Sequence, residues 1–122
     1  QLLRLVVQDG TGRRGDAPGF RVGGKTGTGE KPNGHGYDKH VNVSTFAAAF
    51  PMDAPRYVVL AMLDSPKGTA DTFGFTTAAW NAAPVVKRVI ERTGPMLGVI
   101  PDANRDIDTA ELQSMVASKE EN

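Results

Sequence analysis

Val22-Gly23-Gly24-Lys25-Thr26-Gly27-Thr28 is the stretch around which the rest of this chain is organised. In an extended conformation, its last four residues present an ammonium, two hydroxyls and a bare piece of backbone on one accessible edge. The ammonium attracts an anion and a threonine hydroxyl donates to it. Gly27 has no side chain that would block a second strand from pairing with the backbone. The stretch therefore predicts a carboxylate-binding edge of a β-sheet.

Sequence similarity to a known family extends on both sides of Lys25-Thr26-Gly27-Thr28. The stretches that carry it are residues 6–12 (Val-Val-Gln-Asp-Gly-Thr-Gly), 18–22, 46–51, 55–59 and 83–85. Together with the Lys-Thr-Gly-Thr signature they resemble the penicillin-recognising serine transpeptidases, the family that includes the serine β-lactamases. The pattern is most similar to the class B penicillin-binding proteins, in particular the cell-division transpeptidase.

The resemblance implies an α+β fold in which an antiparallel sheet of about three strands packs against a C-terminal helix. Such a unit is a fragment of the penicillin-binding and serine β-lactamase-like transpeptidase fold. Residues 1–101 are then the C-terminal portion of a transpeptidase domain, and residues 102–122 form a flexible polar tail. Because the chain starts at Gln1 within an apolar helical pattern, we expect it to be part of a longer protein.

The other signatures of this family are absent from the chain. The nucleophile of these enzymes lies in a Ser-x-x-Lys sequence, and a Ser-x-Asn or equivalent completes the site. No serine here is followed by lysine three positions later or by asparagine two positions later. The serines are Ser44, Ser65, Ser114 and Ser118. The resemblance thus implies a chain that supplies one wall of an active site, lacks the nucleophile and is inactive alone.

The resemblance also implies the roles of the signature residues in a peptidoglycan D,D-transpeptidase. Lys25 supplies positive charge and assists a proton relay, and Thr26 and Thr28 position the substrate carboxylate beside Gly27. The backbone N–H of Thr28 donates to the oxyanion. The implied ligands are D-alanyl-D-alanine stem peptides and β-lactams. The implied partners are the remainder of the transpeptidase domain and other cell-division proteins, at the periplasmic face of the bacterial inner membrane.

Composition excludes several other classes of function. The 122 residues carry 14 basic and 14 acidic side chains, so nothing favours bulk attraction to nucleic acid. The chain has no cysteine, and no apolar run is long enough to span a bilayer. His35, Asp38 and His40 match no metal-site spacing, so we interpret both histidines as solvent-exposed loop residues. We expect neither a metal nor an organic cofactor.

A competing motif overlaps the signature. Gly19-Phe20-Arg21-Val22-Gly23-Gly24-Lys25-Thr26 satisfies the phosphate-binding pattern G-x-x-x-x-G-K-[ST]. A P-loop, however, opens a helix whose N-terminus faces the phosphates, whereas glycine and proline crowd residues 27–36. A P-loop nucleotide-binding domain therefore remains an alternative hypothesis, disfavoured by its context. A third hypothesis is a non-catalytic fragment that self-associates through an exposed sheet edge.

The remaining pattern predicts the other elements. We expect a helix over residues 1–7 that closes at Gly10 or Gly12, a surface loop with solvated arginines over residues 11–19, and a strand over residues 20–28. Residues 29–42 are predicted to be a long loop beside the cleft. Residues 43–51 and 56–64 predict a hairpin. The second of its strands, which has no polar alternation, is expected to be covered on both faces and to have an outer edge that is open or paired with another chain.

The last third of the chain predicts a loop followed by a helix. Phe73 and Phe75 either form an apolar wall beside the substrate or pack against the sheet. The helix starts at Thr76 or Thr77, or near Asn81 if Pro84 lies in its first turn, and runs to about residue 92. Trp80 is interpreted as a packing residue. Within the polar tail, one short helix is permitted after residue 108.

Overall fold

The computed structural model describes residues 1–120, and their side chains except those of residues 39, 40 and 118–120. Two short 3-10 turns accompany three α-helices and three strands. The elements are α1 (Leu2–Gln8), a first 3-10 turn (Arg13–Gly15), β1 (Gly23–Pro32), β2 (Tyr37–Phe50), β3 (Tyr57–Asp64), α2 (Ala82–Thr93), a second 3-10 turn (Pro95–Leu97) and α3 (Ala110–Glu120).

The three strands form one antiparallel sheet with the order β1-β2-β3. β2 is the central strand, so it fixes the register of both neighbours. Lys25 lies opposite Ala47, which in turn lies opposite Leu60, and Thr28 lies opposite Ser44. The predicted α+β fold with an antiparallel sheet of three strands and a packed helix is confirmed.

The two faces of this sheet differ sharply in burial. Ser44, Phe46, Ala48 and Phe50 of β2 are buried on the face against which α2 packs, where Gly15 of the first 3-10 turn also approaches Phe46. Alternate residues point to the opposite face, and there Val58, Leu60 and Met62 are 76%, 64% and 67% exposed. The prediction that β3 is covered on both faces is therefore wrong. An unbroken apolar run shows that both faces of a strand could be buried. It does not show that a second layer of structure is present to bury the outer face.

The core is organised around the ring of Phe46, which is fully buried. Gly12, Gly15 and Gly24 surround it: a Cβ atom built on Gly15 would lie 2.5 Å from Phe46 Cε1, and one on Gly24 would lie 2.8 Å from Phe46 Cζ. Such distances are far below van der Waals contact. The missing side chains therefore allow the loop after α1 and the start of β1 to close on the ring.

Helix α2 starts at the later of the two predicted positions. Asn81 caps it, since Asn81 Oδ1 accepts hydrogen bonds from the N–H of Ala82 and from Ser44 Oγ, both at 2.6 Å. Pro84 thus falls in the first turn, where a backbone N–H has no intrahelical partner. The same cap ties the helix to the central strand, because Ser44 lies on the buried face of β2.

The segment predicted as a long loop over residues 29–42 is mostly strand. β1 continues to Pro32 and β2 begins at Tyr37, with a register shift between Glu30 and Lys31. Only residues 33–36 turn the chain, and Gly34 and Gly36 there have φ values of 84° and 143°. The glycines that suggested a loop are compatible with strand pairing. They need their conformational freedom only at the turn itself.

The C-terminal segment contacts the first helix. Asp106 accepts hydrogen bonds from Arg4, at 2.9 Å and 2.6 Å, and Thr109 Oγ1 donates to Gln8 at 2.8 Å. Helix α3 follows, and Gln113 Nε2 donates to Asp9 at 3.1 Å. The flexibility predicted for residues 102–122 stays a prediction, and its last two residues lie outside the described part of the chain. The permitted helix after residue 108 is present.

Two buried arginines form ion pairs with carboxylates next to the segment that leads into β1. Arg4, whose side chain is 7% exposed, bonds Asp106 and also donates to Asp16 and to the carbonyl of Val22, both at 2.9 Å. The hydrogen bonds from Arg4 lower the pKa of Asp106 against the opposing effect of burial. The same pattern recurs where Arg21 Nε bonds Asp53 at 2.7 Å and lowers the pKa of that carboxyl.

The packing around Phe46 predicts a stability difference between two glycine-to-alanine variants. Gly15→Ala should lower the free energy of unfolding by about 1–3 kcal/mol, because the new methyl group overlaps the Phe46 ring. Gly29→Ala should change it by less than about 1 kcal/mol, because a Cβ there meets nothing within 4 Å. Urea unfolding of the full chain compares the two. Equal destabilisation would contradict the steric account.

The arginine–carboxylate pairs predict a loss of stability in acid. A carboxyl whose pKa is lowered on folding stabilises the protein above its unfolded pKa of about 4, and that contribution disappears as the pH falls through the folded value. Thermal unfolding midpoints should therefore fall between about pH 5 and pH 2, and Asp53→Asn should flatten this dependence and lower the midpoint at pH 7. Asp71→Asn removes an exposed loop carboxylate outside these pairs. If this control flattened the curve as much, the account would be wrong.

Candidate functional site

The predicted carboxylate-binding stretch lies on an edge strand. β1 pairs with β2 on one side, and none of the strands in residues 1–120 pairs with its other side. Gly23 and Gly24 are buried, and Lys25 is the first exposed residue of the strand. The signature therefore begins where the chain leaves the core, and its backbone lies along an open edge of the sheet.

Lys25 carries a positive charge that no carboxylate among the described side chains neutralises. Its side chain is exposed, and its Nζ donates to the carbonyl of the adjacent Thr26 at 2.9 Å. No ion pair within the described side chains involves this ammonium. Since an ammonium has three donors, Lys25 can bind an anion without breaking a salt bridge.

The two threonine hydroxyls of the signature are held by neighbouring segments. Thr26 Oγ1 lies 3.0 Å from the hydroxyl of Thr11, in the loop that follows α1. Thr28 Oγ1 accepts a hydrogen bond from the N–H of Ala78 at 3.2 Å, ahead of α2. The sequence pattern gives no sign of the contacts with Thr11 and Ala78, because each residue comes from a part of the chain far from the signature.

Gly27 lies close to its neighbour across the sheet, Thr45. Thr45 Oγ1 donates to the carbonyl of Gly27 at 3.3 Å, and a Cβ on Gly27 would lie 2.7 Å from that hydroxyl oxygen. A side chain here would force the Thr45 hydroxyl to move and would break this hydrogen bond.

An aromatic cluster lies next to the segment that holds Thr28. Phe75 stacks on Trp80 with ring centroids 5.0 Å apart, and Phe73 meets Trp80 edge-on at 5.5 Å. The guanidinium of Arg14 also lies on the Trp80 ring, 3.5 Å from the ring centroid. Trp80 is a packing residue, as predicted. Arg14 is not simply solvated, because cation–π stacking holds it.

One of the two predicted arrangements of Phe73 and Phe75, packing against the sheet, is wrong. Their structural contacts are with Trp80, and they are 77% and 51% exposed, so they do not pack against the sheet. The backbone of Phe73 has a φ of 51° and that of Gly74 has a φ of 79°, which turns the loop there. Their role as an apolar wall beside a substrate stays a prediction.

The structure contradicts the P-loop alternative. Lys25 and Thr26 lie within β1, which continues as a strand to Pro32. A P-loop needs a helix that starts at this point and directs its N-terminal N–H groups at phosphate. An edge strand followed by a hairpin turn provides no such helix end.

The histidine-containing turn forms no metal site within the described side chains. Across them, no group of three or more histidine, cysteine, aspartate or glutamate residues lies close enough to hold a metal ion. His35 is exposed and donates its backbone N–H to Asn33 Oδ1 at 3.1 Å. The side chain of His40 lies outside the described residues.

Comparison with known proteins gives one matching family model, the penicillin binding protein transpeptidase domain, over residues 1–91. The chain is 54% identical over 98 residues to the probable peptidoglycan D,D-transpeptidase FtsI of Caulobacter vibrioides, covering 75% of this chain and 17% of that protein. It is 41% identical over 103 residues to stage V sporulation protein D of Bacillus subtilis, covering 84% of this chain and 15% of that one. The chain therefore spans only a small part of these relatives.

Solved structures give the same result for the fold. The apo transpeptidase domain of Burkholderia pseudomallei penicillin-binding protein 3 has a TM-score of 0.69 and 36% identity, covering 82% of this chain and 29% of that one. Penicillin-binding protein 3 of Mycobacterium tuberculosis, complexed with ampicillin, has a TM-score of 0.69 and 31% identity. That match covers 88% of this chain and 24% of the neighbour.

Proposed function

The chain belongs to the penicillin-binding protein transpeptidase family, and we propose that it forms the Lys-Thr-Gly-Thr wall of a peptidoglycan D,D-transpeptidase active site. The observation that carries this proposal is the arrangement of β1. Lys25, Thr26 and Thr28 lie along one open-edged strand, which carries an ammonium that no carboxylate among the described side chains neutralises and two hydroxyls held by neighbouring segments. That edge offers a peptide with a terminal carboxylate both backbone pairing and charge complementarity.

The chemistry needs a serine from the remainder of the transpeptidase domain. Its oxygen attacks the carbonyl between the two D-alanines of a stem peptide, and its proton passes through the neighbouring signature residues to the leaving amine. D-Alanine departs and an acyl-enzyme remains. The amine of a second stem peptide then attacks the ester, which restores the serine and forms the cross-link. Lys25 contributes positive charge to this relay and is not the nucleophile.

The substrate carboxylate is the group that the signature is proposed to bind. Lys25 attracts it, and the hydroxyls of Thr26 and Thr28 donate to it, with Thr28 as the stronger direct contact. The peptide backbone lies along β1 beside Gly27, where no side chain intervenes. Holding the substrate at both its backbone and its terminal charge fixes the scissile carbonyl relative to the serine.

The backbone N–H of Thr28 is proposed as one of two donors to the oxyanion that forms during acylation. A backbone donor on a paired strand needs little reorganisation when the charge develops. Removal of one such donor typically costs about 3 kcal/mol of transition-state stabilisation. β-Lactams present a reactive carbonyl and a carboxylate in a comparable arrangement, so they are expected to acylate the same serine.

The biological setting follows from the same assignment. Peptidoglycan is assembled outside the cytoplasm, so we place the intact protein at the periplasmic face of the bacterial inner membrane, where it would act in septal wall synthesis with other cell-division proteins. No helix within residues 1–120 is long and apolar enough to cross a membrane.

Labelling with a fluorescent penicillin tests the role of Lys25. In the intact transpeptidase, Lys25→Ala should reduce acylation by at least about a hundredfold and leave thermal stability unchanged, because the side chain is exposed. Lys87→Ala is the matched control, since it removes an ammonium from α2 on the other side of the sheet. Normal labelling of Lys25→Ala would contradict the assignment. Label on the 122-residue chain itself, after denaturing separation, would contradict the absence of a nucleophile.

Substitution of Thr28 tests the hydroxyl separately from the charge. Thr28→Val preserves shape but removes the hydroxyl, so acylation by penicillin should fall by about tenfold or more. Thr28→Ser keeps the hydroxyl and should retain most of the rate. Second-order acylation rates at fixed enzyme concentration give the comparison. Equal rates for the two variants would exclude a contact between this hydroxyl and the ligand.

A further inference from the structure

The turn that leads into α2 carries the N–H group that holds the Thr28 hydroxyl. Trp80 donates its backbone N–H to the carbonyl of Thr77 at 3.0 Å, and the turn closed in this way contains Ala78. The N–H of Ala78 donates to Thr28 Oγ1 at 3.2 Å. The position of this turn therefore determines where the Thr28 hydroxyl is held.

Buried polar groups hold the inner side of the turn. Asn42 Nδ2 donates to the hydroxyl of Thr76 at 3.1 Å and to its carbonyl at 3.3 Å, and Asn81 Nδ2 donates to the same carbonyl at 2.9 Å. Ala78 is fully buried. These contacts tie the start of the turn to β2. Its outer side, where Trp80 is half-buried, depends on other contacts.

Arg14 reaches this outer side from a packed base. It belongs to the first 3-10 turn, where the neighbouring Gly15 lies close against the Phe46 ring. The guanidinium of Arg14 lies 3.5 Å from the centroid of Trp80, within the range of a cation–π contact. A planar guanidinium can stack flat on an aromatic face. The stacking thus joins the core around Phe46 to the turn that leads into α2.

We propose that Arg14 is a positioning residue of the carboxylate-binding site. Through Trp80 it holds the turn where the N–H of Ala78 meets Thr28 Oγ1, so that the hydroxyl keeps its proton directed at the substrate carboxylate. Arg14 acts through these residues and not by contact with the substrate. The inference rests on the proposed function, because it depends on the role that the Thr28 hydroxyl has there.

Tryptophan fluorescence tests the stacking in the chain itself, because Trp80 is its only tryptophan. Arg14→Ala uncovers the part of the ring on which the guanidinium lies, so it should raise the quenching of Trp80 emission by acrylamide. Arg13→Ala is the matched control, since it removes the same charge from the adjacent exposed position and should leave the quenching unchanged. Equal quenching in the two variants would overturn the contact and the proposal with it.

A double-mutant cycle in the intact transpeptidase tests the link to Thr28. Arg14→Ala should lower the second-order rate of acylation by penicillin by about threefold to tenfold, and Arg13→Ala by less than about twofold. In the Thr28→Val background the hydroxyl is already absent, so Arg14→Ala should change the rate by less than about twofold. A purely structural role would lower the rate by the same factor in both backgrounds, and that outcome would overturn the proposal.

Lys25→Ala, measured beside these variants, separates the positioning role from the proposed function. Normal acylation of Lys25→Ala would contradict the proposed function itself. Loss of acylation in Lys25→Ala, together with an unchanged rate in Arg14→Ala, would overturn the positioning role alone.

Discussion

The fit of the Phe46 ring among three glycines is the constraint on which the rest of the fold depends. The ring lies at the centre of β2, and burial of an aromatic side chain of this size is worth several kcal/mol. That burial requires Gly12 and Gly15 on the loop side and Gly24 on β1. Because Gly24 immediately precedes Lys25, the packing that forms the core also determines where the signature leaves it.

Strand alternation then determines on which face of the sheet each signature residue lies. Thr26 lies opposite Phe46 on the covered face, whereas Lys25 lies opposite Ala47 on the exposed one. The small side chain of Ala47 leaves the lysine stem unobstructed. The fold thus directs the hydroxyls toward the loops that hold them and the ammonium toward the face that carries no cover within the described residues.

The features that could be predicted from the sequence are those that depend on residues close together in the chain. The open edge at Lys25 and the pairing of residues 43–51 with 56–64 follow from short-range patterns, and both were recognised. The contacts that were missed join distant positions: Arg14 stacks on Trp80, and Arg4 bonds Asp106, 102 residues away. Periodicity cannot reveal them, because side-chain pairs of this kind depend on how the elements pack. The one-sided cover of β3 escaped prediction for the same reason.

Donor and acceptor geometry shows how an occupied Thr28 hydroxyl would still bind a carboxylate in the proposed site. Thr28 Oγ1 accepts from the N–H of Ala78, and a hydroxyl that accepts through a lone pair keeps its proton for donation. The contact with Ala78 therefore fixes the oxygen without consuming the donor, and a fixed donor loses little entropy when an anion binds. Lys25 is exposed, and its Nζ donates to the adjacent carbonyl of Thr26. In the proposed site, the Thr28 hydroxyl would therefore set the position of the carboxylate, and the charge of Lys25 would supply most of the attraction.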